Sequence, residues 1–261
     1  MSEREKILRY YRASGDAELA ARLVDLAENT ARSRRYKVSE FLDPFGFSMA
    51  ETVAAHFPRL KLEADGGFQG AERVKAAFID EDFLGKADYG LAALEASVDV
   101  RYYEISHRDV LGAVLGLGLK REMIGDIIMT GRGCQIVCDA VMSEFIRRNL
   151  TKIGAAAVEL APLELSAIAG REERVKEIRT TIASLRLDAV AAAGFSTSRT
   201  KMAGEIDADK VKVNWQDAKS AAQTIKAGDI ISMRGRGRVE VCEVLGQTKK
   251  GRISILLKRF I

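Results

Sequence analysis

The feature that most constrains this sequence is the order of apolar and polar stretches in its middle third. Leu91–Val100 reads as a strand. Ser106 opens a helix, HRDVLGAVLG, and Asp109 three residues later completes a capping-box pattern. That helix ends in Gly116-Leu117-Gly118, and Lys120–Met123 is polar and turn-like or helical. Ile124–Met129 is a strand, Thr130-Gly131-Arg132-Gly133 a hairpin turn, and Cys134–Cys138 its partner strand. Ala140–Leu150 is a helix with a basic end at Arg147-Arg148, and Ala155–Leu160 is a last strand. The resulting order is β-α-β-β-α-β.

That order is the split βαβ pattern of ferredoxin-like and RRM-like sheets. On its N-terminal side, Glu3–Ala13 and Asp16–Arg32 carry apolar residues at helical spacing, among them Leu19, Leu23, Leu26 and Ala27. Ser33–Tyr36 is a short basic break, and Asp43-Pro44 stops any helix. Phe47–Phe57 reads as another helix, Arg59–Ala64 and Arg73–Asp80 as strands, and Asp65-Gly66-Gly67 as a turn. On the C-terminal side, Gly170–Arg179 is charge-dense and reads as a connector. Ser184–Ala193 is a helix stopped by Gly194, and Ser196–Ile206 a second one capped by Ser196 or Thr197. Lys210–Val213 and Asp229–Met233 are strands, followed by a hairpin of Val239–Leu245 and Arg252–Leu257. The expected fold class is α+β, with an N-terminal α/β domain over residues 1–75, an RRM-like or ferredoxin-like domain over 76–170, and a separate domain over 182–261.

Charge separates the last of these from the rest. Residues 182–261 hold 15 Lys/Arg against 8 Asp/Glu, a net of +7, which leaves −3 for residues 1–181. A basic module suits a polyanion, because each cation placed on a phosphate releases counterions. A solvated basic surface accounts for the charge equally well. No apolar run approaches the ~20 residues of a membrane helix, and the start MSEREKILRYYR lacks the apolar stretch of a secretory signal. Three cysteines, Cys134, Cys138 and Cys242, make no disulfide framework and suit a reducing cytoplasm.

The last 80 residues carry the most specific motif: LRLDAVAAAGFSTSRTKMAGEI, then VKVN, then KAGDIISMRGRGR. It resembles the S4 RNA-binding domain (αL-type), through Arg186-Leu187-Asp188, Ser198-Arg199, Val211–Asn214 and Gly228-Asp229. The S4 family often has Gly where Asp209 or Lys210 stands here. The chemistry agrees. Arg186 on the first helix and Ser198, Arg199 and Lys201 at the start of the second lie at two helix N-terminal regions, whose free N–H groups and positive partial charge suit phosphate. Arginine adds a planar fork. Lys212 is placed to extend the patch. Arg234, Arg236 and Arg238 alternate with glycine, so in an extended strand they share one face. The competing reading is a sheet edge kept soluble by charge.

Further strings extend the likeness. FLDPFGFSMAETV (Phe41–Val53), GGFQGAER (Gly66–Arg73), SHRDVLGAVLGLGLKREMIGDI (Ser106–Ile127), FIRRNLTKIG (Phe145–Gly154) and the ending GDIISMRGRGRVEVCEVLGQTKKGR resemble the YlmH family of bacterial proteins. Phe45-Gly46-Phe47 is more apolar than that family's pattern. The resemblance implies an N-terminal domain, a central RNA-binding domain and a C-terminal S4 domain. It also implies binding of ribosomal RNA, with peptidyl-tRNA as a further partner on the large subunit, in the rescue of stalled ribosomes. Some members are linked to cell division, so a division-related protein partner also comes with the resemblance, and plastid or cyanobacterial relatives are linked to photosystem II.

A catalytic role has little to stand on. His107 is flanked by Arg108 and Asp109, but SHRD also explains itself as a helix start. His107, Arg108, Lys120 and Arg121 read as structural residues or as a second RNA surface. Cys134 and Cys138 lack the partners of a metal site. Gly112, Gly116 and Gly118 do not match a phosphate-cradling loop. We therefore expect a cytoplasmic, non-catalytic RNA-binding protein without metal, cofactor or membrane. The alternatives are an RNA-modifying enzyme with an S4 accessory module and a division scaffold. The only RLD, Arg186–Asp188, lies inside the S4 helix and not in the GRLDxxTxG motif of a pseudouridine synthase, and no methyltransferase-type Gly-rich loop follows a strand.

Overall fold

A computed structural model describes residues 3–12, 15–170 and 175–260. The chain divides into two compact units, Met1–Arg171 and Glu172–Ile261. Each has its own hydrophobic core.

The first unit opens with α1 (Glu3–Arg12) and α2 (Ala17–Ser33). Leu23, Val24 and Ala27 form the buried stripe of α2 at helical spacing. Arg34 then reverses the chain at φ 52° into β1 (Tyr36–Leu42), where the sequence shows only a basic break. A register shift between Val38 and Phe41 breaks the period-two pattern that announces a strand. Asp43-Pro44 begins a helix rather than stopping one. Asp43 accepts a hydrogen bond from the Gly46 N–H at 2.8 Å, and Pro44 needs no donor at the first position of α3 (Pro44–Ala54). β2 (Leu60–Asp65) and β3 (Val74–Asp80) complete an antiparallel sheet in the order β1-β3-β2. Because β3 is its middle strand, the domain border expected between residues 75 and 76 would cut the sheet; the N-terminal layer runs through Asp80.

Next come β4 (Leu91–Ser97), α4 (His107–Leu115), a 3-10 turn at Arg121–Met123, β5 (Ile124–Thr130), β6 (Gly133–Asp139) and α5 (Ala140–Asn149). The capping box at α4 forms as expected: Ser106 Oγ accepts from the Asp109 N–H and Asp109 accepts from the Ser106 N–H. The closing strand is displaced from Ala155–Leu160. Gly154, at φ 58°, folds the chain back so that β7 (Lys152–Ile153) pairs with β8 (Ala156–Ala157), and β9 (Glu159–Leu163) joins the sheet only after that. The order β5-β6-β4-β9, antiparallel throughout, is that of the split βαβ fold. Leu94, Ala96, Cys134, Ile136 and Cys138 share the core with Val110 and Val114 of α4 and Ile146 of α5.

Two cations stitch the layers of this unit together. Arg73 donates to the carbonyls of Ile124 (3.0 Å) and Phe41 (2.8 Å), and burial pulls its pKa below the usual guanidinium value. Lys75, 4% exposed, pairs with Asp139 at 2.6 Å, donates to the Tyr89 carbonyl and lies over the Phe41 ring.

In the second unit, residues 171–174 of the expected connector lie outside the described residues. Val175–Ile182 is a strand, β10, paired along its whole length with the last strand of the chain. α6 (Leu187–Gly194) and α7 (Arg199–Asp207) follow, then β11 (Val211–Val213), β12 (Gln216–Asp217), β13 (Ile230–Met233), β14 (Gly237–Gln247) and β15 (Ile253–Phe260). The sheet order is β10-β15-β14-β13-β11-β12. Val190, Phe195, Met202 and Ile206 of the helical layer pack on Val211, Ile231, Val239 and Leu257 of the sheet. Asp209 takes the left-handed turn before β11 at φ 53°, a backbone conformation that favours Gly. Asn214 donates to Asp229 at 2.9 Å and accepts from the Ile230 N–H at 2.9 Å, so the VKVN and Gly-Asp motifs lock to each other.

Candidate nucleic-acid interface

The helical side of the second unit gathers cations around two carboxylates. The first is Asp188, in the opening turn of α6 and 6% exposed. Arg186 contacts it through Nε at 3.2 Å and Nη2 at 3.1 Å, and Arg199 through Nη2 at 2.9 Å. Burial alone would push the Asp188 carboxyl up. The hydrogen bonds from Arg186 and Arg199 more than offset that and hold it below the usual carboxylate range. Both arginine side chains stay about half exposed.

The second carboxylate is Glu205, one turn after Lys201 on α7. Lys210 pairs with it at 2.8 Å. Lys210, with Lys201 and Arg236 acting at longer range, draws its carboxyl below the ordinary value. The Arg234 N–H donates to the Lys210 carbonyl at 2.9 Å, which ties the β13–β14 turn to the residue just before β11. Arg186 and Arg199 thus meet at Asp188, while Lys210, Lys201 and Arg236 surround Glu205.

Several expectations are corrected here. Arg234, Arg236 and Arg238 do not share a strand face: residues 234–236 form the hairpin turn, with Gly235 at φ 77° and Gly237 at φ 83°. Arg238 stacks over the Phe260 ring at 5.3 Å. Lys212 does not extend the helical patch. Asp217, Lys212, Ser232, Arg238 and Phe260 are cross-strand partners in one row, and cross-strand partners share a face. The neighbouring residues Val211, Val213, Met233 and Val239 point into the core under α6 and α7, so this row lies on the opposite side of the sheet. Lys212 pairs there with Asp217 at 3.1 Å.

The helix N-termini differ as well. At α6 the Leu187 and Asp188 N–H groups donate to the carbonyls of Gln223 and Ala221, at 2.8 and 3.1 Å, so that end is spent within the fold. At α7 the cap is Ser198, not Ser196 or Thr197. Its Oγ accepts from the Lys201 N–H at 3.2 Å, which makes Ser198 a cap first. Asp188, Glu205 and Lys210 were not anticipated as parts of the site. The RLD triplet carries the signal for Asp188, but a search for basic residues passes over an acidic one.

Of the four residues expected to form a second surface in the first unit, three are exposed and one is turned inward. His107 and Arg108 are exposed on the first turn of α4, and Lys120 is exposed before the 3-10 turn. Arg121 is turned inward: it donates to the Ile124 and Gly125 carbonyls, and burial, with Arg73 beside it, lowers its pKa to about 10. The sheet face on which RRM domains stack bases is closed. Val137 of β6 and Ile128 of β5 pack there against Phe41, Phe68 and Ile168, and Gln135 accepts from the Ala169 N–H at 2.7 Å. Neither central strand, LAALEAS or GCQIVCD, offers an aromatic side chain. Cys134 and Cys138 are buried, with pKa values pushed up to about 12. Among the described residues no group of three His, Cys, Asp or Glu is placed to hold a metal.

Comparison with known proteins accounts for this architecture. Residues 185–231 match the S4 domain, and residues 85–167 match a family described as "Putative RNA-binding domain in YlmH". The chain is 32% identical over 226 residues to the ribosome-associated protein quality control protein P2 of Bacillus subtilis (strain 168), covering 86% of this chain and 88% of that one. The chain belongs to the YlmH family. A solved structure, the cell division protein ylmH from Streptococcus pneumoniae, superposes with a TM-score of 0.51 at 20% identity, over 59% of this chain and 95% of that one, which speaks to fold alone. In this YlmH-family chain the S4 match starts at Leu185, after β10, so the edge strand lies outside the matched segment.

Proposed function

We propose that this chain is a non-catalytic RNA-binding protein that holds ribosomal RNA and tRNA on the large ribosomal subunit, in the cytoplasm, during rescue of stalled ribosomes. One observation carries the reading: Arg186 and Arg199, from the starts of the two S4 helices, converge on Asp188 with their side chains about half exposed, and Lys201 and Arg236 add positive charge near Glu205. Arginine forks partly exposed beside an ordered carboxylate suit a phosphate backbone. The name of the Bacillus subtilis relative supplies the ribosomal setting. Asp188 is hydrogen-bonded by two arginines, which is poor chemistry for a nucleophile or general base and weighs against an RNA-modifying reaction. Among the described residues no helix is long and apolar enough to cross a membrane.

The test is co-sedimentation with purified large subunits. The triple substitution of Arg186, Arg199 and Lys201 by alanine should abolish pelleting at physiological salt. Unchanged pelleting of a folded triple variant removes this site from consideration.

A further inference from the structure

We propose that Asp188 is a positioning residue for RNA, holding Arg186 and Arg199 together as one two-guanidinium clamp on a phosphate. The proposal rests on the RNA-binding reading above and goes further, because it makes an acidic side chain necessary for binding an anion.

The geometry supports it in three steps. Both Nη2 atoms lie on the same oxygen, Asp188 Oδ2, at 3.1 and 2.9 Å, so they are at most about 6 Å apart. Two guanidinium groups that close repel, and a carboxylate between them offsets the repulsion. Next, the carboxylate itself is fixed. Asp188 is 6% exposed, sits in the first turn of α6, and its N–H is tied to the Ala221 carbonyl. The two arginines come from the starts of different helices, and the carboxylate that both contact sets their spacing. Finally, the clamp is left open outward. Arg186 spends Nε and Nη2 on Asp188 and Arg199 spends Nη2, so Nη1 of each lies outside those contacts while the side chains are 42% and 50% exposed. Long cations held in advance lose less rotamer freedom when the phosphate arrives.

The sign of the effect makes the idea testable. On charge alone, removing an anion from an anion-binding surface raises affinity. A positioning role predicts the reverse. With the full chain and purified large subunits as probe, Asp188→Asn should weaken binding about tenfold, the equivalent of one charge-assisted hydrogen bond. Arg186→Ala and Arg199→Ala should be strongly non-additive when Asp188 is present and close to additive in the Asp188→Asn background. Thermal melting establishes that each variant is folded. Arg186→Lys gives an independent route: it keeps the charge but cannot make the two-point contact, so it should bind as weakly as Arg186→Ala. Wild-type or tighter binding by folded Asp188→Asn, or wild-type binding by Arg186→Lys, overturns the clamp. If the alanine triple variant loses subunit binding while Asp188→Asn keeps it, only this inference fails; if neither variant changes binding, the RNA-binding reading fails with it.

Discussion

Single side chains in this protein hold their places by partners that a composition count cannot reveal. Lys75 is the clearest case, a buried ammonium bonded to Asp139 and to the Tyr89 carbonyl. Removing one partner of such a pair strands the other, although Asp139 is part exposed and its loss is softened by water. Lys75→Ala should therefore cost about 2 kcal/mol in chemical denaturation of the first unit. Thiol reactivity should follow the local environment. With burial pushing Cys134 and Cys138 to about 12, the native protein should react with iodoacetamide first at part-exposed Cys242, as peptide mapping would show. Asp188 makes a prediction in acid. A carboxyl held below its ordinary value contributes stability above that value, and the contribution disappears as pH falls through the folded value. Urea denaturation of the second unit should lose about 1 kcal/mol between pH 7 and pH 2.5 that the Asp188→Asn variant does not lose; equal acid losses in both proteins would refute this account.

At the level of elements, β10 alters where the second unit begins. All eight of its residues pair with β15, and Ile178 and Ile182 touch the core. A fragment of residues 172–261 should unfold in one cooperative step. A fragment of residues 182–261, cut at the expected border, exposes the β15 edge and should melt lower or aggregate; identical melting of the two would show that β10 is dispensable. Gly194 is a second element-level constraint, since an added Cβ would come within 2.7 Å of Val239 Cγ1. Gly194→Ala should destabilise the unit by about 1–3 kcal/mol through overpacking. The elements that were legible in the sequence share a reason: each is encoded locally. The capping box at Ser106, the turn at Gly131, both S4 helices and the β-α-β-β-α-β order fall in this class. The elements that escaped depend on partners far along the chain. β1 is bulged, β10 is charged because it is an edge strand, and β9 starts late because Gly154 turns the preceding residues onto themselves. The site divides the same way. Arg186 and Arg199 follow from motif, whereas the role of Asp188, the inward turn of Arg121 and the displacement of Lys212 and Arg238 to the far side of the sheet follow only from register and packing.

Across the whole molecule, charge is concentrated in the second unit, +7 against −3 for residues 1–181. Binding of the full chain to large subunits should fall steeply with salt, and the isolated second unit should reproduce most of that slope. The first unit, left with His107, Arg108 and Lys120 as its exposed candidates, should bind more weakly and with a shallower slope, as filter binding across a salt series would report. The blanket of Phe41, Phe68 and Ile168 on Val137 carries a practical consequence. Excised alone, residues 85–167 would shed all three of those aromatic and aliphatic covers and present a greasy flank to water. This segment is therefore no portable cassette, and anyone grafting it onto another protein must carry its upstream neighbour along.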